Sequence, residues 1–266
     1  MKPMKNRQSV MLIGAMVVGL ITSSTVFADS DKGYQIAAER KQRDAGWGDS
    51  VAQLSMELTN ANGNTSSRKL RIKSLEVIND GDKGLTIFDE PKDVRGTVFL
   101  SYSHSTEPDD QWIFLPALKR VKRIASRNKS GPFMGSEFAY EDLSSFELEK
   151  YTFNYLRDET LNGQEVFVVE QVPTDKFSGY SSQLVWMDKV HYRPLKVEFY
   201  DRRKNHLKTL TFKDYQQYLD KFWRPSELVM INHQNKKMTR LMTENLTFDN
   251  GLTERDFSKS SIKRAR

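Results

Sequence analysis

The stretch 110-DQWIFLPALKRVKRIASRNKSGPFMGSEFAYEDL-143 decides the reading of this chain. It joins an aromatic strand-like segment, a dense basic run, a Gly/Pro/Ser-rich break and a second aromatic segment that ends in acids. In its first part Trp112 and Phe114 share one face of a strand while Ile113 and Leu115 share the other, so both faces are apolar. A sheet with one wetted face would alternate cleanly. EVFVVEQV (165–172) repeats the pattern, with Val166 and Val168 on one side and Phe167 and Val169 on the other. Two architectures are open: a curved sheet covered in part outside or enclosing an apolar cavity, and a plain sandwich core.

Period-2 segments continue outward in both directions. Ala52, Leu54, Met56 and Leu58 alternate with Gln53, Ser55 and Glu57, and after a turn at Asn60-Ala61-Asn62-Gly63 the chain returns with Leu70 and Ile72 between Lys69, Arg71 and Lys73. Further strands are predicted at 97–103, 111–116, 165–172, 182–188, 194–201, 207–218, 226–234 and 238–249. Turn signals such as Asp80-Gly81-Asp82, Leu161-Asn162-Gly163 and Arg202 to Asn205 fall between them. Helical patterns are few, which excludes a parallel α/β sheet. One short helix is predicted over Gly33–Ala45, ending near Gly46 and Gly48. The expectation is a mainly β protein built on a single antiparallel sheet, with residues 29–266 as one domain.

The first 28 residues predict the compartment. Lys2, Lys5 and Arg7 precede an apolar core, VMLIGAMVVGLI (10–21), and Val26 and Ala28 are the small residues that a cleavage site needs before Asp29. The core is too short for a span of about 20 apolar residues. Residues 1–28 are therefore expected to be a signal peptide, and their removal halves the net charge of +6. The chain has no cysteine, so an exported protein of this kind has neither disulfides nor a lipidated N-terminal thiol. A soluble, unlipidated periplasmic protein is expected, with no nucleic-acid partner.

Enzyme chemistry finds little footing. His104, His191, His206 and His233 are scattered without ligand spacing, so no metal is expected. No serine sits in a G-x-S-x-G elbow, no glycine-rich phosphate loop occurs, and no cofactor is implied. The acid pairs Asp109-Asp110 and Glu141-Asp142 read as solvated or capping carboxylates rather than a catalytic dyad. The chain is expected not to be an enzyme.

Two features of the 110–143 run remain. The basic residues Lys119, Arg120, Lys122, Arg123 and Arg127, followed by Lys129, are either a solvated strand face, with Leu118, Val121 and Ile124 pointing inward, or a rim for anionic head groups or an acidic partner. Phe133, Phe138 and Tyr140 do not fit one helical face, and Gly131, Pro132 and Gly135 weaken any helix. A loop with a short helical turn, laid over the open end of the sheet, is expected. It either plugs the core or covers an apolar ligand, for which methionine beside aromatics is suited. Trp112, Phe114, Phe133, Met134, Phe138, Tyr140 and Trp186 are the candidate ligand-contacting residues.

The segments PKDVRGTVFL (91–100), DQWIFLPALKRVKRIAS (110–126), FMGSEFAYEDL (133–143), YRPLKVEFYDR (192–202) and NHQNKKMTRL (232–241) carry a family resemblance. The chain resembles the outer-membrane lipoprotein-sorting-protein-like family, exported relatives of the LolA and LolB carriers that are associated with RND-type (MMPL) exporters. The resemblance implies an incomplete antiparallel β-barrel whose apolar concavity is closed by helices or loops. It also implies a periplasmic carrier or chaperone for a lipid or lipidated cargo, working with an inner-membrane exporter. An interaction subunit that packs a protein partner and binds no lipid is the alternative.

Overall fold

The computed structural model describes Met1 and residues 29–264; the expected signal peptide lies outside the described residues. Thirteen strands follow one helix: α1 (Ser30–Arg43), β1 (Asp49–Thr59), β2 (Thr65–Leu75), β3 (Lys83–Glu90), β4 (Val98–Tyr102), β5 (Asp110–Leu115), β6 (Arg120–Ile124), β7 (Tyr151–Leu161), β8 (Gln164–Pro173), β9 (Tyr180–Asp188), β10 (Pro194–Asp201), β11 (His206–Tyr218), β12 (Phe222–Asn232) and β13 (Met238–Phe248). They form one sheet in the order β6-β5-β4-β3-β2-β1-β13-β12-β11-β10-β9-β8-β7, antiparallel throughout. Each strand pairs with its neighbour in sequence except at two places. β1 pairs with β13 and joins the two halves, while β6 and β7 are left as opposite edges.

Turn chemistry sets the meander. Asn162 and Gly163 both have positive φ, 50° and 80°, in the two-residue loop between β7 and β8. That is the primed turn that matches the twist of flanking strands. Between β1 and β2 the Asn60 carboxamide oxygen accepts the backbone N–H groups of Asn62 (2.9 Å) and Asn64 (3.0 Å). Sequence reading left β3 and β7 unassigned. In β3 the residues Leu85, Thr86, Ile87 and Phe88 are all buried, without polar alternation, and β7 has one buried side chain, Phe153.

The helix starts three residues earlier than expected because Asp29 caps it, its carboxylate accepting Lys32 N–H at 2.9 Å. Gly33, Ile36 and Ala37 are its buried stripe, at spacings of three and four. Gly33 lets the helix lie directly on the edge strand, since a Cβ there would come within 2.6 Å of the Tyr155 backbone nitrogen. Asp29 also exchanges two backbone hydrogen bonds with Tyr155, at 3.1 and 2.9 Å, which partly covers the β7 edge.

Apolar side chains sit on both faces of the sheet. Inside, one cluster gathers Phe88, Phe99, Ile113 and Met56, and a second gathers Val185, Met187, Val197, Phe199 and Leu210 with Ile36 and Ala37 of the helix. Outside, Leu85, Leu100, Trp112 and Phe114 lie under the C-terminal segment, whose Phe257 and Ile262 are fully buried. Burying such a side chain contributes about 1.5–3 kcal/mol. The Asp49 carboxylate aims that segment by accepting the N–H groups of Asn250, Gly251 and Leu252 at 2.9–3.1 Å. Of the two architectures open from sequence, the curved sheet covered in part on its outside is the one adopted.

Candidate functional site

Because β6 and β7 are the two edges of an open sheet, the chain between them must travel from one edge to the other. Residues 125–150 do so across the concave face. Phe133 and Phe138 enclose a tight hairpin, with Phe133 N–H donating to Phe138 C=O at 2.7 Å and Ser136 N–H donating to Phe133 C=O at 2.9 Å. Met134 and Gly135 take positive φ, 51° and 76°, as a type I′ turn requires. A 3-10 turn at Tyr140–Leu143 follows, the short helical element expected in this loop.

This connection is fastened on both sides by rings and by polar groups: Phe138 packs into the cluster of the β7–β13 half, and Gln111 and Arg68 of the β1–β6 half donate to Tyr140 C=O and Met134 C=O. Towards the β1–β6 half it inserts rings: Phe133 lies 5.1 Å from Phe99, 5.7 Å from Phe88 and 5.6 Å from Tyr140, centroid to centroid. Towards the β7–β13 half it is held by carboxylates. Asp142 accepts Lys208 Nζ (2.6 Å), the Tyr180 hydroxyl (2.7 Å) and Ala139 N–H (2.7 Å). Glu141 accepts the Ser178 hydroxyl (2.7 Å) and Gly179 N–H (2.8 Å), and burial pushes its pKa up. Glu137 accepts Asn232 and Asn235 side-chain amides at 2.7 and 3.0 Å. Burial holds the Tyr180 phenol well above its ordinary pKa, so it stays a neutral donor to Asp142. The acid pair Glu141-Asp142 therefore fastens the cover.

Four of the seven candidate ligand residues come together inside. Phe133, Met134 and Tyr140 join the cluster around Phe88 and Phe99, and Phe138 joins the one around Phe199 and Leu210. The other three face the opposite way. Trp112 and Phe114 pack under Phe257 and Ile262, and Trp186 packs with Val166 and Val168 on the outer face. Trp186 Nε1 donates to Glu159 at 2.6 Å and its ring carries Lys196 Nζ at 3.5 Å. Their strand neighbours Ile113, Val185 and Met187 are the ones that face inward. Alternation put the two sets on opposite faces, but nothing local told which face is concave.

The basic run forms the β6 edge. Arg123 pairs with Asp110 at 2.6 Å and Lys129 with Asp175 at 2.6 Å. Lys119, Arg120, Lys122 and Arg127 are exposed. Leu118, expected to point inward, is 62 % exposed, Val121 packs outside and Ile124 inside. β6 hydrogen-bonds β5 on one side and is the terminal strand on the other.

Spaces remain around the cover among the described residues. A chamber of about 380 Å³ lies under it, its walls combining Phe138, Val197, Phe199, Leu210 and Phe212 with polar and charged groups that include Arg40, Asp109, Glu141, Lys150 and Gln183. A cleft of about 720 Å³ opens beside it, between the end of α1, Trp47, Tyr215 and Trp223. The two share Arg40, Asp142, Ser144, Ser145 and Phe212. A hollow of about 930 Å³ lies outside Glu137 and Lys208. In the cleft, burial raises Asp82 to about 6, with Glu147 and Glu76 adding to the shift and Lys41 opposing it. Among the described residues no three His, Asp or Glu side chains converge as a metal site.

A domain from Vibrio parahaemolyticus, described as an outer membrane lipoprotein-sorting protein domain, has a crystal structure that is 65% identical to this chain, with a TM-score of 0.88 over 89% of this chain and 100% of that one. The chain belongs to the outer membrane lipoprotein-sorting protein family. A DUF1329 family protein from Desulfovibrio piger matches this family member at 26% identity, with a TM-score of 0.83 over 88% of this chain and 98% of that one. A LolA superfamily protein from Nitrosomonas europaea, 19% identical, shares the fold at a TM-score of 0.68 over 86% and 99% of the two chains. The sorting-protein fold is therefore LolA-like: one open, curved 13-stranded antiparallel sheet with one helix. A family model described as "Uncharacterized protein" matches residues 80–264. Comparison with curated proteins finds no match. No helix among the described residues is long and apolar enough to cross a membrane.

Proposed function

We propose that this sorting-family protein is a non-enzymatic periplasmic carrier that shelters a lipid, a lipidated protein or another apolar cargo beneath the 125–150 connection. In this reading residues 1–28 are a signal peptide removed on export, and the carrier works with an inner-membrane RND-type exporter. The observation that carries it is the chamber under the cover, where Phe138, Val197, Phe199, Leu210 and Phe212 offer apolar contact beside polar and charged side chains. Each methylene of an acyl chain buried there contributes about 0.8 kcal/mol, so apolar contact alone supplies useful affinity. Among the cover's contacts, those of Glu137, Glu141 and Asp142 with the β7–β13 half are discrete polar ones, which suits admission because they can be broken singly.

Native mass spectrometry of protein isolated from its own envelope tests the reading, together with uptake of a fluorescent fatty acid by the purified protein. A bound lipid-sized mass and saturable uptake are expected. Protein that is ligand-free and takes up no fatty acid would sink the proposal.

The β6 edge favours a second reading, an interaction subunit that docks an acidic partner along Lys119, Arg120 and Lys122. An edge strand with exposed backbone groups and three cations offers both pairing and charge complementarity. Charge reversal of these three residues should then abolish co-purification with an exporter while fatty-acid uptake is unchanged. Retained co-purification counts against it.

A further inference from the structure

The buried stripe of α1 runs Gly33, Ile36, Ala37 and, one turn on, reaches Arg40. That position sends a guanidinium into the space between the helix, the cover and the sheet, where an aliphatic side chain would pack at no electrostatic cost. Its basic neighbours are all engaged. Lys41 pairs with Glu147 at 2.9 Å, Arg43 pairs with Glu39 at 2.7 Å and also donates to Val190 C=O at 2.7 Å, and across the cleft Arg193 pairs with Asp188 at 2.8 Å. Asp44, which acts on Arg40 through space, is taken by Arg224 at 2.5 Å. Asp142 is taken by Lys208 and Tyr180.

Among the described residues, Arg40 itself forms no ion pair. Its partner is the Phe146 ring, 4.1 Å from the guanidinium carbon. Stacking of this kind uses the face of the guanidinium and leaves its in-plane N–H donors for a bidentate acceptor. Arg40 is half-buried, a charge partly withdrawn from water without a paired counter-ion is costly, and burial pulls this group below its ordinary pKa. The Tyr151 phenol, which lines the chamber with Arg40 and stacks on Phe146 at 6.0 Å, is kept neutral by burial and so remains a donor.

We infer that Arg40, at the junction of the chamber and the open cleft, binds the phosphate or carboxylate head of a single-chain amphiphile whose tail lies against the apolar residues of the chamber. The inference rests on the carrier reading and adds the polarity of the cargo to it: tail against Phe138, Phe199 and Leu210, anionic head against Arg40, remainder of the cargo towards the cleft. It also accounts for an arginine on the helix face that otherwise carries glycine, isoleucine and alanine.

Calorimetry on delipidated protein, using dodecyl phosphate, dodecanoate, dodecanol and inorganic phosphate, provides the test. The wild type should bind the two anionic amphiphiles roughly 10- to 100-fold more tightly than dodecanol, the range for a charge-assisted hydrogen bond. Arg40→Met should reduce both to the affinity of dodecanol and leave dodecanol itself unchanged, and Arg40→Lys should restore part of the preference. Equal binding of anionic and neutral amphiphiles by the wild type, or a preference that survives in Arg40→Met, overturns the inference and leaves the carrier reading standing. Inorganic phosphate binding as tightly as dodecyl phosphate would make this a free-anion site and overturn the amphiphile. If none of the four binds, both readings fall. Arg40→Met should melt no lower than the wild type, because it removes an unpaired charge; a drop of several degrees would mark Arg40 as a structural residue and also overturn the inference.

Discussion

Lys208 of β11 and Asp142 of the β6–β7 connection form a buried ion pair, Nζ to Oδ2 at 2.6 Å, with side chains 4 % and 7 % exposed. The same ammonium donates to Glu137 C=O at 2.9 Å, so one lysine holds two points of the cover. Both side chains are buried, unlike those of the Lys129–Asp175 pair that also fastens residues 125–150 to the β7–β13 half.

Removing one partner of this pair should be far worse than removing both. Asp142→Ala leaves Lys208 charged in an apolar setting and is expected to cost about 3–5 kcal/mol, whereas Lys208→Met combined with Asp142→Leu should return most of it. Urea denaturation of the two single variants and the double variant reads the coupling. Hydrogen exchange should quicken in residues 133–143 of Asp142→Ala, with the β1–β6 strands less affected. A single-variant cost below about 1 kcal/mol would show that the pair does not hold the cover.

Asp82 predicts a pH effect of defined sign. Its pKa is raised from 3.8 to about 6 by burial, so between these values the folded state binds the proton that the unfolded state has released. Its contribution to stability therefore falls as pH rises from about 4 to 6 and stays low above that range. Asp82→Asn should match the wild type near pH 4 and exceed it by roughly 1–3 kcal/mol above pH 7. Denaturant midpoints measured across this range provide the check, and a stability difference that is flat with pH would remove Asp82 from the account.

Gly33→Ala tests the seat of the helix. The added methyl would meet the β7 backbone at 2.6 Å, and backbone cannot swing aside as a flexible side chain can. A loss of about 1–3 kcal/mol is expected despite the better helix propensity of alanine. A neutral or stabilising result in thermal unfolding would mean that α1 does not sit on β7 in this way.

Inner and outer aromatics should behave differently in ligand uptake. Leu210→Trp places extra volume in the chamber and should weaken fatty-acid binding about tenfold or more, as a core overpacked by a larger side chain resists a further occupant. Trp186→Phe, on the outer face, should leave uptake intact and cost stability only, through the lost hydrogen bond to Glu159. Uptake that falls in Trp186→Phe but not in Leu210→Trp would reverse the assignment of faces.

The local rules of the chain were legible in its sequence. Leu161-Asn162-Gly163 announced a turn, alternation at 52–58 announced β1, and Trp112, Ile113, Phe114 and Leu115 announced a strand apolar on both sides. The loop nature of 133–143 followed from Gly131, Pro132 and Gly135, and the family resemblance was carried by contiguous segments. All of these depend on neighbours a few residues apart, where backbone sterics and side-chain period act.

What the sequence could not contain was set by partners far along the chain. Whether Trp112 or Ile113 faces the concavity depends on the direction in which the sheet curls and on Phe257 and Ile262 arriving to cover the outer side. That residues 125–150 cross the concave face follows from β1 pairing with β13, which leaves β6 and β7 as opposite edges of one sheet. Arg40 could be placed on the apolar stripe of α1 by its spacing from Ile36 and Ala37. Only the folded protein decided that Lys41 and Arg43 find carboxylates while Arg40 stacks on Phe146, because a counter-ion is a matter of distance in space.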